Sequence, residues 1–177
     1  MFTVHTVESA PAASRRLIAE TVKHQGYLPE AVALLAESPE LLSTFLKASG
    51  TFGASTLDPL AQEVVIMTMA TRNGCHLCVA MHTARLSALA ADPDLIADLR
   101  AGTPVGDPRL EALRQFTLRV LATAGAVDDG EVAEFVDAGF TPRNALEVVL
   151  GIGTYTMSTL ANRLVRAPLD EPLKAFA

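Results

Sequence analysis

Apolar positions along the chain recur at three- and four-residue spacings, and almost no segment sustains a period of two. The pattern predicts helices and no sheet. A first helix runs from about Ala12 to His24, with Pro11 before it and Gly26 after it. A short helix follows from about Glu30 to Ala36. Ser38-Pro39-Glu40 then reads as an N-cap with proline at the first helical position, opening a helix through Leu41, Leu42, Phe45 and Leu46 towards Phe52. Asp58-Pro59 opens the next, which reaches about Arg72 and stops at Asn73-Gly74. Another helix spans about Cys75 to Ala90, and Asp92-Pro93 starts a short one to about Arg100. The segment 101–108 is the clearest loop. Helices from about Arg109 to Ala124, from Asp128-Asp129 to near Gly139, and from Thr141-Pro142 to about Val165 complete the pattern. The proline-broken tail is expected to be loosely ordered or to contact a subunit. The expectation is an all-α, single-domain helical bundle over residues 1–177, with 1–38 as an N-terminal helical extension and 57–90 as the site-bearing core.

Two adjacent helices stand out within this pattern. Val64 to Ala70 is apolar nearly all round, which marks a buried helix. Glu63 stands at its head, and its helical neighbours Pro59, Leu60, Ile66 and Met67 are all apolar. A buried carboxylate needs a partner or becomes protonated. The next helix offers His82 and the only two cysteines, Cys75 and Cys78; the alternative is an arginine, Arg72 or Arg85. At about 100° per residue, Cys75, Cys78 and His82 fall within an arc of about 60°. Cysteines three apart can close a disulfide within one turn, and Cys78 and His82 are i,i+4 neighbours. Both cysteines are expected in the first turn, where free amides and the helix dipole favour thiolate. This assigns Cys78 as the attacking sulfur, Cys75 as its resolving partner, and His82 with Glu63 as a proton relay. A lone C-x-x-C has other uses. Zinc is one, since the C-x-x-C-x-x-x-H spacing supplies three ligands and Glu63 a fourth, although structural zinc usually takes two separated pairs.

Composition narrows the function. The chain has 177 residues, half of them apolar and only 5% aromatic, enough for a sizeable core. The net charge is −6 and the 14 basic residues are scattered, which argues against nucleic acid as a partner. No apolar run approaches the ~20 residues that span a bilayer. The expected location is the cytoplasm, where paired cysteines are more often catalytic, redox-sensing or metal-binding than structural. Mean hydropathy is +0.30, high for a small monomer, so subunits of a homo-oligomer are expected to cover some of the surface. His76 lies off the cysteine face and is read as solvent-facing or at an interface, and His5 and His24 as surface residues. Gly151-Ile152-Gly153 follows no strand; its small residues suit close helix packing rather than a dinucleotide loop. Tyr155 and Asn162 are of a type to support the site, but nothing in the sequence places them there. Gln62-Glu63-Val64-Val65-Ile66 is matched by Leu146-Glu147-Val148-Val149-Leu150, a hint of an internal repeat whose second copy has Thr159, Asn162 and Arg166 where the first has Cys75, Cys78 and His82.

Glu63-x11-Cys75-x2-Cys78-x3-His82 on two consecutive helices resembles the alkylhydroperoxidase D-like family within the carboxymuconolactone decarboxylase superfamily. The likeness is close from about Leu57 to Leu89 and looser over Asp107–Leu164, and the residues before Ser38 look like the N-terminal helices of longer members. The resemblance implies an all-α homo-oligomer, often a trimer or hexamer. It implies peroxide reduction through the cysteine pair, or disulfide reductase activity serving a peroxiredoxin, with Cys78 reacting with peroxide and Glu63 and His82 relaying protons. The expected partners are a hydroperoxide substrate and a dithiol or protein reductant, with no bound cofactor. Some members carry histidine immediately before the second cysteine; here that residue is Leu77, with His76 one place earlier, so a relay through that position is not expected. The competing readings are a non-redox enzyme of the decarboxylase branch using His82 as acid and base, and a redox-sensing oligomer without turnover.

Overall fold

The computed structural model describes residues 1–177. Nine α-helices follow one another: α1 Ala12–Gln25, α2 Glu30–Leu35, α3 Pro39–Gly53, α4 Pro59–Arg72, α5 His76–Ala88, α6 Pro93–Ala101, α7 Pro108–Ala122, α8 Asp129–Asp137 and α9 Pro142–Val165. There is no strand. The X-Pro starts behave as their chemistry demands. Ser38, Asp58, Asp107 and Thr141 each accept a hydrogen bond from a first-turn amide through the side chain, and proline fills the next position, where no N–H partner exists to lose.

Helix α4 is the axis of the molecule. Ala61 to Ala70 are all buried, so every face of this helix meets protein. It packs against α5, α6, α7 and α9, with α3 closing one end. Val64, Val65, Met67 and Met69 are fully enclosed with Phe52, Leu86, Leu113, Phe135 and Val148. Each such side chain contributes roughly 1.5–3 kcal/mol of transfer free energy. Phe116, Phe135 and Phe140 stack with ring centroids 4.1 and 4.6 Å apart, and the Arg109 guanidinium lies 4.3 Å from the Phe140 ring centre. Gly151 permits the closest approach in the core. A Cβ there would lie 2.7 Å from Cε2 of Phe52. Gly153, by contrast, faces open space, so only the first glycine of that motif serves packing.

Two expectations are corrected. The tail is ordered. Glu171–Phe176 forms a 3-10 helix docked on α5, and the Arg100 guanidinium donates to the carbonyls of Phe176 (2.7 Å) and Ala177 (2.9 Å). His5 is buried rather than on the surface, with Nε2 2.9 Å from the Glu37 carboxylate. Sequence spacing misses this pair because its members are 32 residues apart. His24 is exposed, as expected.

Helix α9 also carries an unpartnered apolar stripe. Leu146, Val149, Leu160 and Leu164 are exposed, and at about 100° per residue they fall within an arc of about 60°. No helix is long and apolar enough to cross a membrane.

Candidate active site

The turn between α4 and α5 sets the positions of both sulfurs. Gly74 adopts φ +63°, a left-handed conformation that a side chain would strain, and it redirects the chain at once. The Cys75 amide then donates to the Ala70 carbonyl at 2.9 Å. Helix α9 clamps the turn. Asn73 donates to the Thr159 hydroxyl (2.8 Å), and Arg163 Nη1 donates to the Asn73 carbonyl (2.6 Å).

Cys75 is the N-cap of α5, not its first helical residue, and its sulfur accepts from the Cys78 amide at 3.4 Å. The expectation that both cysteines lie within the first turn is corrected to this extent. The correction keeps the chemistry, because Cys78 sits at the third helical position, inside the region of unpaired amides and positive dipole. Cys75 and Cys78 are joined as a disulfide with Cα atoms 5.3 Å apart. Both residues are buried, at 1% and 3% exposure.

Glu63 is 2% exposed and meets both of its expected kinds of partner at once. One carboxylate oxygen lies 2.7 Å from His82 Nδ1, and the other 2.8 Å from Arg85 Nε. Histidine and arginine are therefore not alternatives. Arg85 lies one turn below His82 on α5, so one helix face supplies both groups. Arg72, the other arginine considered, does not pair with Glu63. The Glu63 charge is satisfied, which is what permits its burial.

Helix α9 closes the site from the opposite side. The Tyr155 ring packs edge-on against His82, centroids 5.6 Å apart at 87°, and its hydroxyl lies 3.3 Å from Ser49 Oγ. Burial, reinforced by the Glu63 carboxylate, pushes the Tyr155 phenol up from its ordinary value, so it stays protonated at neutral pH. Asn162 donates through Nδ2 towards Cys78 Sγ at 3.5 Å. Its Oδ1 is the one buried side-chain oxygen or nitrogen without a hydrogen-bond partner. Ser49 had no signal in the sequence. Asn162 and Tyr155 were candidates by residue type, with no spacing that places them at the site.

Glu63, Cys78, Met81, His82, Tyr155 and Asn162 share the wall of one cavity of about 670 Å³, whose lining is mostly apolar. The arrangement supplies a disulfide sulfur at a helix N-terminus, a histidine fixed by a carboxylate, and room for a small organic molecule. His76 is exposed and lies outside this cavity, as its helical phase required.

Residues 36–117 match the carboxymuconolactone decarboxylase family model. No curated protein matches the chain in sequence. Among solved structures, the chain is similar to an uncharacterised peroxidase-related protein of Ralstonia eutropha described as an alkylhydroperoxidase AhpD core. Its TM-score is 0.84 at 20% identity, covering 97% of this chain and 93% of that one. A second uncharacterised peroxidase-related protein, from a Silicibacter species, has a TM-score of 0.77 at 18% identity, over 92% and 87% of the two chains. The debrominase Bmp8, solved as a cysteine-to-alanine variant with 2,3,4-tribromopyrrole, has a TM-score of 0.74 at 13% identity, over 99% and 95%. At these identities the structures share the fold with this chain and nothing finer. Residues 36–117 thus carry the carboxymuconolactone decarboxylase family pattern, and the chain shares the fold of the alkylhydroperoxidase AhpD core along almost its whole length.

Proposed function

We propose that the protein is a thiol-dependent peroxidase that reduces organic hydroperoxides through Cys75 and Cys78. One observation carries the reading: Cys78, disulfide-bonded at the N-terminus of α5, shares a cavity wall with the Glu63–His82 pair. In the reduced protein the Cys78 thiolate attacks the terminal peroxide oxygen. The O–O bond breaks, the alkoxide leaves as an alcohol with a proton relayed through His82, and Cys78 becomes a sulfenic acid. The Cys75 thiolate then attacks Cys78 Sγ, expelling the hydroxyl, which leaves as water after taking up a proton, and the disulfide forms. An external dithiol or protein reductant restores the pair by thiol–disulfide exchange, and no bound cofactor takes part. The apolar lining favours an organic hydroperoxide over hydrogen peroxide.

The protein works, in this reading, in the reducing cytoplasm as a homo-oligomer, a trimer or hexamer. The α9 stripe of Leu146, Val149, Leu160 and Leu164 is the surface best suited to subunit contact.

The test is hydroperoxide turnover with a dithiol reductant, combined with sulfenic acid trapping in the single-cysteine variants. Cys75→Ser is expected to accumulate sulfenic acid at Cys78, and Cys78→Ser to form none. The reverse pattern would exchange the two roles. Peroxide-inert thiols would leave the decarboxylase-like reading, and oxidation without catalytic turnover would leave the sensor.

A further inference from the structure

Each sulfur of the Cys75–Cys78 pair borders a different recess. Cys78 lines the large apolar cavity with Glu63 and His82, and Cys75 does not. Cys75 lines a second cleft of about 270 Å³, and Cys78 does not; Leu77 and Asn162 form the wall common to both recesses. That cleft is walled by Gly74, His76, Leu77, Asn162, Arg163, Arg166 and Ala167, with no carboxylate among them.

Its charge is unusual for this chain. The net charge of the protein is −6, yet two guanidiniums and an imidazole gather here, beside the positive end of the α5 dipole. Neither Arg163 nor Arg166 has a carboxylate partner within ion-pairing distance. Arg163 is held in place by its bond to the Asn73 carbonyl. Arg166 caps α9 in a left-handed conformation at φ 55°, which turns the chain at the cleft rim.

Thiol–disulfide exchange requires the attacking sulfur, the central sulfur and the leaving sulfur to approach a line. A nucleophile entering the cleft meets Cys75 with Cys78 as the leaving group. We propose that this cleft is the electron entry site, and that it takes a low-molecular-weight thiol carrying a negative charge, which Arg163 and Arg166 hold against Cys75. The cleft lies just below the usual size range of ligand sites, which suits a small molecule and not a protein surface. The inference rests on the peroxidase reading for its place in a cycle, but not for its chemistry.

The step balances as follows. The reductant thiolate bonds to Cys75 Sγ, the Cys75–Cys78 bond breaks, and Cys78 leaves with the electron pair as a thiolate. Asn162 Nδ2, 3.5 Å from Cys78 Sγ, is the donor placed to receive that charge. A second reductant thiolate attacks the reductant sulfur of the mixed disulfide. This releases the oxidised reductant as a disulfide and Cys75 as a thiolate, which takes a proton from water. Two thiols thus supply the two electrons. Electrons enter at Cys75 from the cationic cleft and leave at Cys78 into the apolar cavity, so reductant and hydroperoxide do not compete for one opening.

The experiment is stopped-flow reduction of the disulfide form by three thiols of similar size: 2-mercaptoethanesulfonate (anionic), 2-mercaptoethanol (neutral) and cysteamine (cationic). Rates are expressed per thiolate. At low ionic strength the sulfonate is expected to react about tenfold faster than the neutral thiol, and cysteamine slower than both. The order should collapse in 1 M salt, where the screening length is about 3 Å. It should also collapse in Arg163→Gln/Arg166→Gln. Arg166→Gln alone, at an exposed position, halves the cationic pair if the double variant does not fold. Rapid alkylation followed by fragmentation mass spectrometry should find the thiol adduct on Cys75 and the alkyl group on Cys78. Equal per-thiolate rates, a charge order that survives the arginine replacements, or an adduct on Cys78 would overturn the assignment. Peroxide oxidation of the reduced protein is measured separately. Inert thiols with the charge order intact would sink the peroxidase reading and leave the entry site standing; the converse result would do the opposite.

Discussion

Replacing Glu63 by glutamine tests whether its carboxylate moves protons or only holds helices together. The side chain is 3% exposed and its two oxygens engage His82 and Arg85 at 2.7 and 2.8 Å. A hydrogen bond to a charged partner contributes ~1.5–3 kcal/mol, and breaking a buried ion pair costs ~3–5 kcal/mol. The two partners differ in what they lose. The Arg85 side chain is 65% exposed and returns to water, whereas that of His82, at 11%, stays enclosed. Glutamine keeps one oxygen acceptor, which can still serve His82. The expected destabilisation of Glu63→Gln is therefore about 2 kcal/mol, below the full cost of a broken buried pair. For a chain of this size that lowers Tm by roughly 4–8 °C. A relay role makes a second, larger claim. General acid–base catalysis is worth ~10²–10⁴ in rate, so disulfide formation by hydroperoxide should slow by at least about a hundredfold in folded Glu63→Gln protein. The assays are thermal unfolding and single-turnover oxidation of the reduced protein, with Arg85→Gln as the control for a lost exposed partner worth ~0–1 kcal/mol. A lowered Tm with an oxidation rate within about twofold of wild type would refute the relay and leave Glu63 as a clasp. A Tm that does not move would refute the buried-pair reasoning itself.

Gly151→Ala should destabilise the protein by ~1–3 kcal/mol through its clash with Phe52, and Phe52→Leu in the same chain should recover part of the loss; urea midpoints decide it. Asn162→Ala removes the amide donor beside Cys78 Sγ and should slow alkylation of Cys78 at neutral pH roughly tenfold in the reduced protein, as expected for a lost bond to a charged acceptor. Burial alone would raise the Glu147 carboxyl, but bonds from the Thr56 amide and hydroxyl, Asn144 and Arg143 hold it below its ordinary value of 4.5. Its folded-state contribution is thus present above that value and lost as pH falls through the lowered one. The stability gap between wild type and Glu147→Gln, measured by denaturant unfolding, should be full at pH 7 and shrink in acid below about 4.5.

Much of the helix order was legible because proline and a capping side chain mark five starts in a way no other structure favours: Ser38, Asp58, Asp92, Asp107 and Thr141. The pairing of Glu63 with the next helix was legible too, since an acid set in an all-apolar turn has few places to go. The α5 boundary was less so. Periodicity extends a helix through any residue of the right phase, and only backbone dihedrals show Cys75 leaving helical space at ψ 91°. The contributions of α9 were hardest to place. Asn162 and Tyr155 reach the site across 84 and 73 residues from Cys78 and His82, and no local pattern encodes a contact at that separation. The ordered tail shows the same limit. Its proline-broken sequence favours disorder locally, and the bonds from Arg100 that fix it belong to another helix.

The pair Glu63 and Glu147 shows what turns a local motif into a site. Both sit near the start of a helix opened by X-Pro, both precede Val-Val or Val-Val-Ile runs, and both are buried. Sequence already separates them in part: the helical neighbours of Glu63 are all apolar, whereas Arg143 and Asn144 stand one turn before Glu147. Glu147 is saturated by four donors from Thr56, Asn144 and Arg143, and it ties α9 to the segment after α3. None of those donors borders the large cavity. Glu63 instead places one oxygen on a histidine whose ring shares that cavity with the disulfide sulfur of Cys78. A fully bonded carboxylate has nowhere to send a proton, whereas one bonded to an imidazole does. The difference arises because the helix that carries Glu63 breaks at Asn73-Gly74 and the chain restarts with a cysteine cap, while the helix that carries Glu147 runs on as the unbroken 24-residue α9. That break brings a helix N-terminus, two sulfurs and a histidine against the acid. The continuous helix leaves the corresponding residues, Thr159, Asn162 and Arg166, to brace the turn, face Cys78 and line the cationic cleft.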